Sequence, residues 1–170
     1  MTVIRLLSKH IMRLKNSLYR RLKIFLLKCQ YGTKFKAKKF HFRTGFHIFI
    51  EDAGNVQIGN GCFFNNYCSI TARKSVIIGN NCIFGENVKI YDHNHKYKSL
   101  SIPICKQGFS AEEIRIEDNC WIASNVIILK GVHIGANSVI GTGVIVYKNI
   151  PENSIIIAKQ NIISYNRNYE

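Results

Sequence analysis

The stretch IEDNCWIASNVIILKGVHIGANSVIGTGVIVYKNIP, residues 116–151, repeats a pattern every six residues. A branched aliphatic residue opens each hexad, and a smaller residue follows four places later in most of them. The openers are Ile116, Ile122, Ile128, Ile134, Ile140 and Val146. A helix requires apolar spacing near 3.6 and a strand spacing near 2, so neither fits as one continuous element. The period favours short strands that are separated by turns.

The same period runs through an earlier part of the chain, with one two-residue shift. Its openers there are Ile58, Phe64, Ile70, Ile78, Phe84 and Ile90. If each hexad forms one side of a triangular coil, the openers point inward and three hexads close one coil. Gly and Asn then take turn positions with positive φ. Cys62, Cys68, Cys82 and Cys120 occupy the small-residue position, which predicts reduced core thiols rather than disulfides.

The charge of the chain is concentrated at its N-terminus. The formal net charge is +14, and residues 1–43 carry thirteen Lys and Arg with no acid. The remaining eleven basic residues face ten acids, so the repeat region is nearly neutral. With 170 residues and 46% hydrophobic content, the chain is long enough for one folded domain. No run approaches the roughly 20 apolar residues of a membrane span, and no signal-peptide core is evident. We expect a cytoplasmic protein.

The order FNNYCS, VKIYDHNH, IEDNCWIASNVIILKGVHIG and IGTGVIVYKNIPENS resembles the hexapeptide-repeat acyltransferases, over about residues 56–158. Within them it is most similar to the galactoside, maltose and capsular-polysaccharide O-acetyltransferases. The resemblance implies a mainly β fold, a left-handed parallel β-helix with triangular coils. It also implies transfer of an acetyl group from acetyl-CoA to a sugar hydroxyl, in a homotrimer with active sites between subunits.

The motif YDHNHKY, residues 91–97, carries the candidate catalytic base. A sugar hydroxyl is a poor nucleophile at neutral pH, and imidazole has the unperturbed pKa (about 6.5) best suited to remove its proton. His93 or His95 could be this base. By the resemblance, His93 falls on the family's catalytic histidine, and His95 lies further along a loop, where it is also an acceptor-binding candidate. A zinc site would need three or four convergent ligands, with His133 as a distant third. No metal is expected.

The resemblance also assigns residues to the two substrates. Trp121 follows a core cysteine, so it should point outward and line the acceptor and cofactor sites, and Asn65 matches an acceptor-binding asparagine. Residues 92–113 interrupt the repeat, and such a loop is more often functional than accidental. CoA would lie along Ala123, Ser124, Gly141, Thr142 and Gly143, with Lys148 near a phosphate. A backbone N–H near Trp121 would stabilise the oxyanion.

The C-terminal end departs from the family pattern. Residues 157–161 read IAKQN, where the family carries a glycine and a proline, although Lys159 could serve the nucleotide end of CoA. We divide the chain into a basic arm (1–45), the β-helix (46–160) with its loop (92–113), and a tail (161–170).

The basic arm is predicted to form an amphipathic helix. Its apolar positions recur at three- and four-residue steps: Ile4, Leu7, Ile11, Leu14, Leu18, Leu22 and Phe25. Two interpretations stay open: peripheral attachment of residues 1–30 to an anionic membrane, or packing against the β-helix or another subunit. Nucleic-acid binding is disfavoured, because no motif of that class accompanies the charge.

We therefore predict an acetyl-CoA-dependent sugar O-acetyltransferase that acts on a cell-surface polysaccharide precursor. An N-acetyltransferase acting on an amino-sugar nucleotide, and a non-catalytic trimeric scaffold, are the alternatives.

Overall fold

The computed structural model describes residues 2–51 and 53–159, so the predicted tail lies outside the described residues. Within them, one helix, α1 (Thr2–Tyr31), precedes eighteen short strands. Single turns of 3-10 helix lie at Gly32–Lys34 and Ile104–Lys106. None of the described helices is both long enough and apolar enough to cross a bilayer.

Most of the strands form three parallel sheets, which we call faces A, B and C. Face A contains β1 (Phe35–Ala37), β4 (Val56–Ile58), β7 (Val76–Ile78), β12 (Ile114–Ile116) and β15 (His133–Ile134). Face B contains β2 (His41–Phe42), β5 (Phe63–Phe64), β8 (Ile83–Phe84), β13 (Trp121–Ile122), β16 (Val139–Ile140) and β18 (Ile155–Ile156). Face C contains β3 (His47–Ile50), β6 (Ser69–Ala72), β9 (Lys89–Tyr91), β14 (Ile127–Ile128) and β17 (Ile145–Val146). The remaining pair, β10 (His93–His95) and β11 (Phe109–Ala111), is an antiparallel hairpin.

The chain visits faces A, B and C in turn, so each circuit is one coil of a parallel β-helix. Ile122 pairs with Ile140, eighteen residues later, which confirms that three hexads close one coil. Phe84 pairs with Ile122 instead, thirty-eight residues away, because the 92–113 loop leaves the coil between them. The first coil already begins at β1, within the segment that the sequence assigned to the arm.

The inward positions form a continuous apolar core, as the period predicts. Every hexad opener from Ile116 to Val146 is buried. Aromatic residues fill the coils nearest the N-terminus, and the Phe64 and Phe84 rings stack at 4.3 Å between centroids with a 7° interplanar angle. Helix α1 covers the open end of this core, where Leu27 is buried and the Tyr31 hydroxyl donates to the Ile48 carbonyl at 3.2 Å.

The turn prediction is confirmed for asparagine and for Gly61, Gly131 and Gly143, which have positive φ, whereas other glycines have a different structural reason. Asn119, Asn125 and Asn137 take φ values of 58°, 60° and 59° at stacked corners. Gly59 has no positive φ, yet a Cβ there would lie 2.3 Å from the Gly79 carbonyl oxygen of the next coil. This glycine is therefore required by the close approach of two coils, not by the turn.

The four repeat cysteines are buried free thiols, as predicted. Each donates to a backbone carbonyl of the following coil: Cys62 to Gly79 (3.0 Å), Cys68 to Gly85 (3.0 Å), Cys82 to Glu117 (3.1 Å) and Cys120 to Gly135 (3.3 Å). They fill space inside the coils and satisfy carbonyls that point inward at the corners.

Candidate active site

Asp92 occupies the corner at which the chain leaves face C for the loop. Its side chain is fully buried. The carboxylate accepts three consecutive backbone N–H groups from the same corner of the coil before: Arg73 at 2.8 Å, Lys74 at 2.7 Å and Ser75 at 2.8 Å. A buried carboxylate without such donors would be costly, so this turn holds Asp92 in one position.

His93 is oriented by Asp92. Its Nδ1 lies 3.0 Å from Asp92 Oδ1, and only 14% of its side chain is exposed. An ionised carboxylate only accepts, so in the neutral imidazole this contact places the proton on Nδ1 and leaves the lone pair on Nε2. This is the tautomer that a general base requires. Asp92 was not among the site residues predicted from sequence, although the adjacent Asp-His pair in YDHNHKY was a visible signal.

The imidazole of His93 is packed by an aromatic residue from the far end of the loop. Strand β11 pairs with β10, and the Phe109 ring lies edge-on to His93 at 5.5 Å. The centroids of the Phe109 and His95 rings lie 4.4 Å apart. The Arg73 guanidinium lies 3.5 Å from the centroid of the Phe109 ring. The Glu51 carboxylate forms an ion pair with Arg73. The rotamer of His93 is thus restricted on two sides.

The remainder of the loop encloses a cavity of about 700 Å³. Gln107 fixes its conformation, because its side-chain amide donates to the carbonyls of Ser99 (2.8 Å) and Ile102 (2.7 Å). The Ser99 N–H returns a bond to Gln107 Oε1 at 3.1 Å. His95 lines this cavity, whereas His93 does not.

The predicted acceptor and CoA residues gather at a different corner, between faces B and C. Three of these residues donate a backbone N–H to a carbonyl of the next coil: Asn65 to Phe84, Ala123 to Ile140, and Gly141 to Ile156. Ser124 lies one residue further along the corner, where its hydroxyl accepts the Glu86 N–H at 3.1 Å. Thr142 and Gly143 occupy the same corner one coil later, and Gly143 donates its N–H to the Ser124 carbonyl at 3.0 Å.

Trp121 points outward from face B, as its place in the hexad predicts. It pairs with Ile83 on one side and Val139 on the other, and 52% of it is exposed. The preceding residue, Cys120, points inward and is buried. The indole is therefore available to a ligand or a neighbouring chain.

Two lysines complete the predicted set. Lys148 is exposed at the corner after β17, where its ammonium lies 5.6 Å from the Tyr147 ring centroid. Lys159 is also exposed, whereas Gln160 and Asn161 lie outside the described residues.

A single chain does not bring all these residues together. His93 and Lys148 lie at the corner between faces C and A, while Asn65, Ala123, Ser124 and Gly141 lie at the corner between faces B and C. Face C separates the two groups. One chain therefore holds two separate groups of predicted site residues, one with the predicted base and one at the predicted substrate-binding corner. Within the described residues, no group of three His, Cys, Asp or Glu side chains could hold a metal ion.

Comparison with known proteins gives a family for this fold. The bacterial transferase hexapeptide family, in its six-repeat form, matches residues 113–148. A galactoside O-acetyltransferase from Lactococcus lactis is 37% identical over 126 residues, which are 69% of this chain and 59% of that protein. An Escherichia coli protein named for lipopolysaccharide biosynthesis as an O-acetyl transferase is 33% identical over 116 residues, 64% of this chain and 55% of that protein.

A solved structure agrees with these relatives. A hexapeptide-repeat acetyltransferase from Vibrio cholerae, complexed with acetyl coenzyme A, superposes with a TM-score of 0.63. It is 25% identical, and the match covers 79% of this chain and 71% of that one. The chain spans just over half the length of the two curated relatives described above. In repeat, in sequence and in fold, the chain is similar to the hexapeptide-repeat acetyltransferases.

Proposed function

We propose that the chain is an acetyl-CoA-dependent sugar O-acetyltransferase in which His93 is the general base. The observation that carries this proposal is the Asp92–His93 pair, with Asp92 fully buried and 3.0 Å from Nδ1. The acetyl donor is supported by the acetyl-CoA complex of the Vibrio cholerae relative, and the sugar acceptor by the galactoside acetyltransferase.

The proposed reaction is a direct transfer. Nε2 of His93 removes the proton of the acceptor hydroxyl as its oxygen attacks the thioester carbonyl. The tetrahedral oxyanion then collapses, the C–S bond breaks, and the imidazolium returns its proton to the leaving CoA thiolate. Asp92 holds the ring in the required tautomer and stabilises the transient imidazolium, and a backbone N–H would stabilise the oxyanion.

The test is release of free CoA thiol from acetyl-CoA, measured with neutral hexoses, anionic sugars and amino sugars. We expect turnover with a hydroxyl acceptor, and a loss of about 10²–10⁴-fold for His93→Ala. His95→Ala is the matched control, because it removes an imidazole two residues away that does not contact Asp92. Equal losses in both variants would refute the assignment of the base. Turnover confined to the amino group of amino sugars would favour N-acetylation instead.

We further propose that the working enzyme is a homotrimer with its sites between chains. The separation of His93 from the substrate-binding corner within one chain supports this, because a neighbouring chain can supply the missing half. Face B also carries an in-register outward column of apolar residues: Phe63, Ile83, Trp121, Val139 and Ile155. Exposed apolar patches of this kind mark interfaces.

Subunit mixing tests the composite site. Neither the His93→Ala protein nor the Ser124→Phe protein should be active by itself. A mixed trimer that contains both variants has some sites in which His93 from one chain and Ser124 from its neighbour are both native. We expect activity to reappear after the two inactive proteins are unfolded and refolded together. No recovery in mixed trimers, verified by co-purification of two differently tagged variants, would place both halves of the site in one chain.

We also propose that α1 attaches the enzyme to the inner face of the plasma membrane, in the cytoplasm. The helix packs on the β-helix through Leu27 and the partly buried Ile24 and Tyr31. Its predicted apolar stripe faces the other way: Leu7, Ile11, Leu14, Leu18, Leu22 and Phe25 are 55–70% exposed, and the Ile4 side chain lies outside the described residues. This exposure favours a partner for the stripe other than the chain's own β-helix.

The composition of α1 selects an anionic bilayer as its partner. The helix carries no acidic residue, and each basic residue near an anionic membrane contributes about 1 kcal/mol. Attachment would place the active site near lipid-linked glycans, which suits the lipopolysaccharide assignment of the Escherichia coli relative.

Flotation with vesicles that contain phosphatidylglycerol tests attachment. We expect binding that salt weakens and that Leu18→Glu abolishes. Ser8→Glu adds the same charge to the same helix at an exposed position beside the stripe, and should weaken binding far less. If the wild type does not float, membrane attachment is refuted, and if both variants float equally, the apolar stripe is not the surface that attaches the helix.

A further inference from the structure

The cavity beneath the loop is strongly basic. Lys96, Lys98, Lys106 and Lys130 line it, and none of its described lining residues is acidic. Of these four lysines, the described part of the chain gives an acidic partner to Lys130 alone, through Glu112 outside the lining. Three lysines therefore line one cavity without an acidic partner among the described residues.

The rest of the lining suits a sugar. Asn94, Tyr97, Ser99 and Ser110 supply hydroxyl and amide groups, and the exposed Tyr97 ring provides an apolar surface. A cavity of about 700 Å³ falls within the range of small-molecule sites. Hydrogen bonds to an ionised group are about twice as strong as neutral ones, so the three lysines would select an anion.

The cavity lies next to the proposed base. His95 lines it and packs against Phe109, the same ring that contacts His93. One aromatic side chain thus touches both the base and a residue of the cavity wall. Lys96 and Lys106 lie on opposite sides of the loop. The hydrogen bonds between Gln107 and Ser99 join these two sides.

We infer that this cavity binds the carboxylate or phosphate of an anionic sugar acceptor. The inference rests on the proposed O-acetyltransferase function and deepens it, because it names the acceptor class. A carboxylate and a phosphate share the chemistry that lysines recognise, and the acceptor panel separates them. The other anion that could reach the site is a phosphate of CoA itself.

The first readout is acceptor specificity. Galactose is compared with galacturonate and galactose 1-phosphate, and glucose with glucuronate and glucose 1-phosphate, alongside N-acetylneuraminate. We expect kcat/KM at least about tenfold higher for anionic members, lost as salt is raised. The double variant Lys98→Gln and Lys106→Gln should remove this preference through acceptor KM, with acetyl-CoA KM unchanged. Lys36→Gln, on face A of the first coil, is the matched control and should change neither constant.

Two results would overturn the inference while O-acetyl transfer stands. One is equal use of neutral and anionic sugars by the wild type. The other is a rise in acetyl-CoA KM, rather than acceptor KM, in the double variant, which would assign the lysines to CoA.

If no sugar is acetylated, the proposed function fails, and direct binding still decides the cavity. Saturation-transfer NMR should show the anionic sugars binding to the wild type and at least tenfold more weakly to the double variant. Absence of binding to the wild type, or undiminished binding to the variant, would overturn the inference.

Discussion

Asp92 Oδ1 lies 3.0 Å from His93 Nδ1, and the same carboxylate accepts backbone N–H groups from three consecutive residues of the preceding coil. This contact distinguishes His93 from His95, which packs on Phe109 and lines the loop cavity. The β-helix thus supplies a rigid acceptor for one imidazole, and the loop carries the other.

Asp92→Asn should lower kcat by about 10²-fold or more, because an amide neither fixes the tautomer of His93 nor stabilises its imidazolium. The NH₂ group of the new asparagine would also lie against the backbone N–H donors of Arg73–Ser75, so the free energy of unfolding should fall by about 1–3 kcal/mol. Steady-state kinetics and urea unfolding at 25 °C measure the two effects. Unchanged kcat in a folded variant would remove Asp92 from the proposed mechanism.

Asn125 tests the backbone requirement at the corners. Asn125→Val should destabilise the protein by about 1–2 kcal/mol more than Asn125→Gly, because a β-branched residue is strained at φ 60°. Both variants lose the same hydrogen bond from Asn87 Nδ2 at 2.9 Å, so their difference isolates the backbone. The comparison uses urea unfolding midpoints, and equal midpoints would contradict it.

Asp118 makes part of the stability depend on pH. The Asn80 side-chain amide and then the Asn80 backbone N–H lower the pKa of this carboxyl. Because the folded-state pKa lies below the unfolded one, the contribution is present at neutral pH and is lost as pH falls through the folded value.

Asp118 is exposed, so solvent screening keeps its contribution under about 1 kcal/mol. Asp118→Asn should therefore destabilise at pH 7 and have less effect at pH 3. Glu152→Gln, which removes an exposed carboxylate elsewhere, serves as the control in urea unfolding at both pH values. A destabilisation that grows toward acid pH would contradict the assignment.

The cysteines should fall into two classes of reactivity. Cys29 and Cys105 are exposed, whereas Cys62, Cys68, Cys82 and Cys120 are buried. Burial also raises the pKa of the Cys68 thiol, which lowers its content of the reactive thiolate. Ellman's reagent should titrate two thiols rapidly in the native protein and six in guanidinium. Rapid reaction of a third thiol would show that the coils open readily.

The repeat by itself determined the architecture, because a six-residue period can bury its openers only in short strands joined by turns. It also determined the outward direction of Trp121 and the burial of four cysteines, since each follows from position within a hexad. Family resemblance predicted which imidazole of YDHNHKY would be the base, and this stays a prediction for which the Asp92 contact gives a physical reason.

Only the tertiary structure decided which residues from distant hexads meet. The Asp92 carboxylate finds its donors at Arg73–Ser75 because coils stack, and that stacking joins residues about twenty positions apart. The same stacking separates His93 from the corner of Asn65 and Ser124, because face C lies between them. The apolar stripe of α1 could have packed inward on pattern alone. It faces outward because Leu27, on the opposite side of the helix, fills the open end of the core.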